Sequence, residues 1–340
     1  MNWISPEITK KIKSSIKREE PVAILSHVNP DGDAVGSALA LWNYLVKNGV
    51  EAKVLLPNAA PKFLQWLPGY SEVLLFTGNP DLVEAYLKKA GIIFYLDFND
   101  PNRLSRMQES VEANRNAVRI LVDHHPNPLL DTRITISEVR VSSTAELIFY
   151  LVKELNGEIF KDGEFAECIY TGIMTDTGCF SFNSSLPSTW EAVASLLKTG
   201  LEKDRIFNLV YNNFSVERMR LLGYSLDQKM KVIPEYNTAY MSLTREEMKK
   251  YKFSIGDSEG FVNYPLSIKG VVFSVLFIEK KDHVKMSFRS KGGFAVNDMA
   301  ARYFNGGGHK NAAGGESYDP LDKTVEKFIT LLDSYSKMLK

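Results

Sequence analysis

The first half of the chain alternates short apolar runs with amphipathic stretches, and this alternation constrains the fold more than any other feature. The apolar runs are short enough to be buried strands. They cover residues 22–27, 51–57, 92–98 and 117–125. The stretches with helical spacing cover residues 34–49, 80–91, 103–115, 143–157 and 163–178. Strands separated by helices predict an α/β fold with a mostly parallel sheet and helices on both faces.

The order of predicted strands and helices changes after a helical segment at 186–232. Strand-like stretches then cover residues 238–244, 270–281 and 283–291, and helical ones cover 296–304 and 322–340. The glycine-rich stretch 305–315 lies between those two helices and reads as a loop. We therefore expect three parts: a domain over 1–190, a helical connector over 191–232 and a smaller α/β domain over 233–340.

Composition excludes several classes of protein. The formal net charge is zero, because 41 Lys and Arg residues balance 41 Asp and Glu residues. Proteins that hold long nucleic acid by neutralising phosphates carry a basic excess, whereas a short anionic substrate remains compatible with this balance. No apolar run approaches the roughly 18 residues of a membrane span, and no secretory signal is present. With two cysteines and no CxxC pair, the sequence predicts a cytoplasmic protein without a membrane partner.

Acidic and imidazole side chains follow three of the predicted strands. The first predicted strand ends in His27, the third ends in Asp97 and Phe98, and the fourth ends in the triplet 123–125, Asp-His-His. In parallel sheets, binding sites form at the carboxyl ends of the strands. Asp31 and Asp33 occupy the turn after the first strand, where we expect Gly32 to permit a tight backbone that turns both carboxylates toward one point.

The charges of this constellation match a pair of divalent cations. Four negative charges come from one set of acids: Asp31, Asp33, Asp97 and Asp176. Carboxylates that converge without a cation repel one another, and two M²⁺ ions would balance all four. Carboxylate and imidazole ligands without thiolate suit Mn²⁺ better than structural zinc. Two such ions can activate a water and stabilise a leaving oxygen in phosphoryl chemistry.

Each element has a structural alternative when taken alone. An Asp-Gly-Asp turn is usually only a turn, a single His at a strand end is usually polar surface, and Asp97 or Asp176 could cap a helix. The doublet His124-His125 is harder to dismiss, because it follows an apolar strand and is preceded by Asp123. A carboxylate that orients an imidazole is what metal-site histidines commonly have.

The glycine-rich stretch has a use of its own. Consecutive glycines let backbone N–H groups approach an anion, and Lys310 and His309 add charge and a donor. Upstream, Arg289 ends a predicted strand and could hold a phosphate with two hydrogen bonds. A flexible surface loop is the alternative, but the pattern GGGHK followed by NAAGG favours an anion pocket formed by Gly306, Gly307, Gly308, His309 and Lys310.

Ordered motifs in this sequence resemble the DHH phosphoesterase superfamily. They read HVNPDGDAVGSALAL, LDFND, VDHHPNP and TGIMTDTG, and the C-terminal FRSKGGFAVNDMAARYFNGGGHKNAAGG resembles the DHHA1 substrate-binding module. The resemblance runs from about residue 20 to about residue 335 and is strongest to the nanoRNase and pAp-phosphatase subgroup. Family members often have a fourth glycine where this chain has Asn305, from which we expect only a small change in loop geometry.

The resemblance implies a role for each position. One metal would be bound by His27, Asp31 and Asp97, and the other by Asp33, Asp97, His124 and Asp176. His125 would contact the scissile phosphate or assist the leaving group, with Asp123 as an orienting carboxylate. The active site would lie in a cleft between a DHH catalytic domain and a DHHA1 domain.

The implied activity is that of a manganese-dependent phosphoesterase using two metal ions. Its substrates would be short single-stranded RNA, cleaved to mononucleotides by attack of an activated water on phosphorus, and adenosine 3′,5′-bisphosphate (pAp), dephosphorylated to AMP. The resemblance also implies a homodimer. The alternatives are a hydrolase of linear dinucleotides such as pApA, a single-strand DNA exonuclease and a non-catalytic nucleotide-binding regulator. A pyrophosphatase or exopolyphosphatase would lack this C-terminal glycine-rich stretch.

Overall fold

The computed structural model describes residues 3–16, 20–155 and 162–339. The chain forms two compact units, Met1–Asn213 and Phe214–Lys340. The segment 191–232, predicted to be a connector, has helices in both units. The predicted boundaries at 190 and 232 between domains of different function stay a prediction. Parts of two predicted helices, 156–157 and residue 340, lie outside the described residues.

The N-terminal unit is built on a six-stranded sheet in which every neighbouring pair is parallel, in the order β3-β2-β1-β4-β5-β6. Its strands are β1 (Val22–Leu25), β2 (Ala52–Leu56), β3 (Leu74–Leu75), β4 (Ile92–Leu96), β5 (Val118–Asp123) and β6 (Ile134–Ser137). This confirms the predicted α/β class. The sequence reading missed β3, which has two residues, and β6, where buried and exposed side chains alternate at the sheet edge.

Helices cover both faces of this sheet. They are α1 (Pro6–Ser15), α2 (Gly32–Lys47), α3 (Pro80–Lys89), α4 (Met107–Ala113), α5 (Thr144–Leu155), α6 (Gly163–Asp176), α7 (Pro187–Leu197) and α8 (Lys203–Tyr211). Successive strand residues point to opposite faces, so Phe94 enters one apolar core and Tyr95 the other. Because both faces are buried, the central strands read as continuous apolar runs.

The C-terminal unit has a mixed sheet in the order β11-β12-β10-β9-β8-β7, with one parallel pair between β8 and β9. Its strands are β7 (Lys231–Ile233), β8 (Thr238–Leu243), β9 (Phe273–Glu279), β10 (Val284–Ser290), β11 (Gly307–His309) and β12 (Ala312–Ser317). Its helices are α9 (Val216–Tyr224), α10 (Arg245–Lys250), α11 (Val296–Tyr303) and α12 (Leu321–Leu339). Stacked and edge-on phenylalanines fill its core, among them Phe273, Phe288 and Phe328.

The glycine-rich stretch is a β-hairpin, which corrects the prediction of a loop. β11 and β12 pair antiparallel, and Lys310 and Asn311 form the turn between them. A Cβ on Gly308 would lie 2.7 Å from the Ala312 carbonyl oxygen, so the glycine permits the close approach of the two strands. Sequence reasoning missed both strands because glycine and alanine are poor strand formers.

Within the described part of the chain, none of the helices combines the length and the apolar character that a bilayer crossing requires.

Candidate metal centre

The carboxyl edge of the parallel sheet gathers the predicted acids and histidines. Asp97 directly follows β4, Asp123 is the last residue of β5, and His124 and His125 come next; His27 lies two residues after β1. Because β1, β4 and β5 are neighbours and parallel, their ends meet at one edge. The sheet thus delivers these five side chains from three strands to one place.

Helix α2 adds two carboxylates. Asp31 is its N-cap, and its Oδ1 accepts hydrogen bonds from the N–H groups of Asp33 and Ala34, both at 3.1 Å. Asp33 lies in the first turn and is 1% exposed. Gly32 between them is helical, and a Cβ there would lie 2.2 Å from the Thr175 hydroxyl of α6. The glycine is therefore needed for contact between helices, rather than for the tight turn that the sequence suggested.

Two of the groups of ligand-type side chains that result carry the argument. Within each of them, the ligand atoms lie within 4.8 Å of one another. His27, Asp31 and Asp97 form the first, with 3.6 Å between His27 Nε2 and Asp97 Oδ2. The second contains Asp33, His124 and Asp176.

His124 stands at the centre of the second group. Its Nε2 lies 3.8 Å from Asp33 Oδ2, 3.7 Å from Asp176 Oδ2 and 3.5 Å from Asp97 Oδ1. These separations are long for hydrogen bonds. They suit ligands that share a cation, since each ligand atom would be about 2.1 Å from such an ion.

Asp97 connects the two groups. One of its oxygens faces His27 and the other faces His124. The Thr144 hydroxyl donates to Oδ1 at 3.0 Å, and the Asp97 N–H donates to the Val122 carbonyl at 3.3 Å. The residue has a φ of 66°, in the left-handed region, which is uncommon for residues other than glycine and often marks a functional position.

His125 and Asp123 form a further group with Asp97, whose Oδ1 lies 3.8 Å from His125 Nδ1. His125 Nδ1 lies 2.8 Å from Asp123 Oδ1, and the Asp123 side chain is fully buried. This contact fixes the orientation of the His125 ring. The second Asp123 oxygen has no hydrogen-bond partner among the described residues.

The electrostatics of the centre favour bound cations. Burial and the neighbouring carboxylates Asp97 and Asp31 raise the pKa of Asp33 well above its usual value; burial and Asp31, Asp123 and Asp176 do the same to the pKa of Asp97. Among the described residues, neither Asp33 nor Asp97 has a Lys or Arg nitrogen within 4.0 Å. Buried carboxylates that lack basic partners are typical of metal sites.

The imidazoles are also prepared for ligation. Burial is the main factor that lowers the pKa of His27 to about 4 and that of His124 to about 3. Both rings are therefore neutral near pH 7, as metal ligation requires. The donor set of oxygen and nitrogen atoms fits divalent cations such as Mn²⁺.

Sequence reasoning missed two residues at this edge. Thr144 holds Asp97 through its hydroxyl. Arg103 is exposed, and its charge lowers the pKa of both His27 and Asp31. The motif Ser-Thr-Ala-Glu at 143–146 is a helix-start signature and could have drawn attention to Thr144, but no pattern distinguishes Arg103 from other surface arginines.

The C-terminal residues with predicted roles lie at one end of the mixed sheet. Arg289 of β10 pairs in register with Ala312, and Ala312 pairs with His309 of β11. Residues directly opposite one another point to the same face, so Arg289 and His309 share a face. Asn305 adopts a φ of 45°, a conformation that glycine and asparagine favour, which explains why it can replace a glycine there. Anion binding by this hairpin stays a prediction.

Family models match both units. The model for the DHH family, N-terminal domain, matches residues 21–173, and the DHHA1 domain model matches residues 237–338. The chain belongs to the DHH/DHHA1 phosphoesterase family. This membership and the two His/Asp groups make it a metal-dependent phosphoesterase.

Individual proteins resemble the chain over most of its length. An exopolyphosphatase-related protein from Bacteroides fragilis has a crystal structure with a TM-score of 0.92 and 42% identity, covering 99% of this chain and 98% of that one. The bifunctional oligoribonuclease and PAP phosphatase NrnA of Thermus thermophilus is 29% identical, over 96% of this chain and 93% of its own.

A third likeness concerns the fold alone. RecJ of Thermus thermophilus, in complex with Mn²⁺, has a TM-score of 0.54 and 12% identity, covering 98% of this chain and 54% of that chain.

Proposed function

We propose that this chain is a manganese-dependent phosphoesterase that degrades short oligoribonucleotides to mononucleotides and converts pAp to AMP. The observation that carries the proposal is the convergence of two ligand groups around the shared Asp97. The likeness to a relative named for both activities, over 96% of this chain, directs the proposal to these substrates.

In this proposal, the two ligand groups hold the cations. His27, Asp31 and Asp97 would bind one ion, and Asp33, Asp97, His124 and Asp176 would bind the other. When bound, the pair would supply the Lewis acidity that activates water and offsets charge on phosphoryl oxygens. Burial raises the pKa of the carboxyls at 33 and 97, and bound cations would favour their ionised form.

His125 would handle the proton at the leaving oxygen. Asp123 orients the ring through Nδ1, and Nε2 would be the donor or hydrogen-bond partner toward substrate. The ring is 19% exposed, so substrate can reach it, whereas Asp123 is inaccessible and acts through His125 alone.

The C-terminal unit would bind the non-reacting part of the substrate. Arg289 and His309 share one face of the mixed sheet, and Lys310 lies in the adjacent turn. A guanidinium and an imidazole on one face, with a lysine beside them, suit a phosphate and ribose. This positive charge is local to the site in a chain with no net charge, which suits a short anionic substrate.

Turnover measurements test the proposal. The substrates are pAp, a labelled RNA series from the dinucleotide to long single strands, the linear dinucleotide pApA, single-stranded DNA and polyphosphate, each with Mn²⁺ and with EDTA. We expect Mn²⁺-dependent release of mononucleotides that is fastest on the shortest RNAs, together with AMP from pAp.

The other outcomes each contradict the proposal in a defined way. Activity on pApA alone indicates a dinucleotide hydrolase, and activity that rises with the length of DNA indicates an exonuclease. Polyphosphate cleavage without nucleotide turnover indicates an exopolyphosphatase, the activity to which the name of the Bacteroides fragilis protein refers. Nucleotide binding without turnover in Mn²⁺ indicates a regulator.

A further inference from the structure

The N-terminal turn of α5 contacts two buried acids of the centre, Asp33 and Asp97. The Thr144 N–H donates to Asp33 Oδ2 at 2.6 Å, and the Ala145 N–H donates to Asp33 Oδ1 at 2.8 Å. The Thr144 hydroxyl donates to Asp97 Oδ1 at 3.0 Å. One helix start therefore holds a carboxylate of the second ligand group and the carboxylate shared by both.

A residue shortly before this turn holds the histidine of the second group. The His124 ring donates a hydrogen bond to the Val141 carbonyl. That bond directs Nε2 toward the three carboxylates it faces. The segment 141–145 thus contacts Asp33 and His124 of the second ligand group, and Asp97, which both groups share.

A buried glutamate fixes this segment from beneath. Glu146 is fully buried, and its Oε2 accepts from the Ser142 N–H at 3.1 Å, the Ser142 hydroxyl at 2.6 Å and the Thr189 hydroxyl of α7 at 2.8 Å. The Ser143 hydroxyl accepts from the Glu146 N–H at 3.1 Å and completes the helix start. A buried carboxylate with three donors on one oxygen rigidifies the turn that presents Thr144.

We propose that Thr144 is a positioning residue of the metal centre, whose hydroxyl sets the orientation of the Asp97 carboxylate and thereby lets both ligand groups bind their ions together. The inference rests on the proposed use of this centre for Mn²⁺ and extends it to a residue that does not itself ligate. The Thr144 hydroxyl bond to Oδ1 favours the Asp97 rotamer in which Oδ2 faces His27.

The hydroxyl can be removed without changing the side-chain shape. Thr144→Val deletes the donor to Asp97, Thr144→Ser keeps it, and neither alters the backbone N–H bonds to Asp33. The matched control is Thr171→Val, because Thr171 is equally buried but its hydroxyl donates to the Glu167 carbonyl within α6. Thermal unfolding of the metal-free variants shows whether each one is folded.

Mn²⁺ binding is measured first, by calorimetric titration and by the electron paramagnetic resonance signal of spin-coupled manganese pairs, without substrate. We expect Thr144→Val to weaken binding of the second ion by about 10–100-fold and to reduce the coupled-pair signal. Thr144→Ser should restore both, and Thr171→Val should leave both unchanged. At saturating Mn²⁺, the loss of turnover in Thr144→Val should fall on kcat, with KM unchanged.

The two proposals fail in different ways. If the wild-type chain binds two Mn²⁺ ions but turns over none of the nucleotides, the proposed function fails while the positioning role is still measured by binding. If folded Thr144→Val binds both ions with wild-type affinity and signal, the positioning role is wrong. Failure of Thr144→Ser to restore binding would also overturn it, because the role is assigned to the hydroxyl.

Discussion

The two regions with predicted chemistry are built in opposite ways. At the carboxyl edge of the parallel sheet, the side chains are mostly buried, and Asp33 and Asp97 are 1% and 2% exposed. At the end of the mixed sheet, Gly307 and Lys310 are exposed, and Arg289 and His309 are partly so. The first region is a closed set of contacts among ionisable groups, whereas the second is an open hairpin.

This difference suggests that the first region is suited to catalysis and the second to substrate binding. Buried carboxylates without basic partners are costly unless cations neutralise them, so the first region is suited to chemistry. A partly exposed edge hairpin with cationic side chains would hold an anion without the cost of burying charge. We therefore expect variants of the first region to change turnover and variants of the second to change substrate affinity.

The largest effect should come from removing two acids of the first region. Asp31→Asn combined with Asp33→Asn preserves shape but removes one ligand charge from each group. Because bound cations contribute several kcal/mol to stabilising the transition state, turnover should fall by at least about 10³-fold. Steady-state kinetics, with circular dichroism as the folding control, measure this. Wild-type turnover in the folded double variant would show that the metal assignment is wrong.

Arg289→Ala tests the second region. A hydrogen bond to a charged group contributes about 1.5–3 kcal/mol, so KM for pAp should rise by about 10–100-fold while kcat changes little. The matched control is Lys285→Ala, since Lys285 is an exposed cation on the same strand and face. If kcat falls as much as KM rises, or if Lys285→Ala has the same effect, the division of work proposed above does not hold.

Gly172→Ala tests how tightly the first region is packed. A Cβ there would lie 2.5 Å from the Ala145 Cβ and 3.0 Å from Asp33 Oδ1, so we expect a loss of about 1–3 kcal/mol in the free energy of unfolding and weaker Mn²⁺ binding. The control is Gly163→Ala on the same helix, where a Cβ meets nothing within 4 Å. Urea unfolding and calorimetry measure both quantities, and equal behaviour of the two variants would contradict the packing argument.

The smallest effect concerns pH. Because the pKa values of Asp33 and Asp97 are raised by burial and neighbouring carboxylates, protons compete with Mn²⁺ for these carboxylates up to a higher pH than for ordinary ones. The affinity for Mn²⁺ should therefore rise with pH, by up to about tenfold per pH unit for each proton released. His27 and His124 are neutral in this range and release none. Calorimetry in buffers of different ionisation enthalpy counts the protons, and a count of zero would refute the prediction.

Much of the first region was predictable because its residues sit where strands end. Periodicity located β1, β4 and β5, and the rule that parallel strands end at one edge brought His27, Asp97 and His124 together. Contacts between residues far apart in the sequence could not be predicted. The sequence does not show that Thr144 contacts Asp97 or that Gly32 faces Thr175. Such contacts depend on how α2, α5 and α6 pack.

The second region was predicted less well, for a local reason. The strand that carries Arg289 was predicted correctly. The glycine-rich stretch was wrong as a loop, because a glycine run gives no periodic signal for a strand. Only the pairing with β12 makes β11 a strand. Tertiary contact overrode local preference there, whereas in the first region both agreed.

The left-handed backbone of Asp97 has an evolutionary consequence. Asparagine accepts that conformation as readily as aspartate does, and its side chain keeps an oxygen for the Thr144 hydroxyl. The codons of the two amino acids differ by one base. A single transition at this position would remove the shared negative charge while preserving the loop, the hydrogen bond and the fold. For a phosphoesterase of this architecture, the path to a folded paralogue that lacks the shared metal-binding charge is one mutation long.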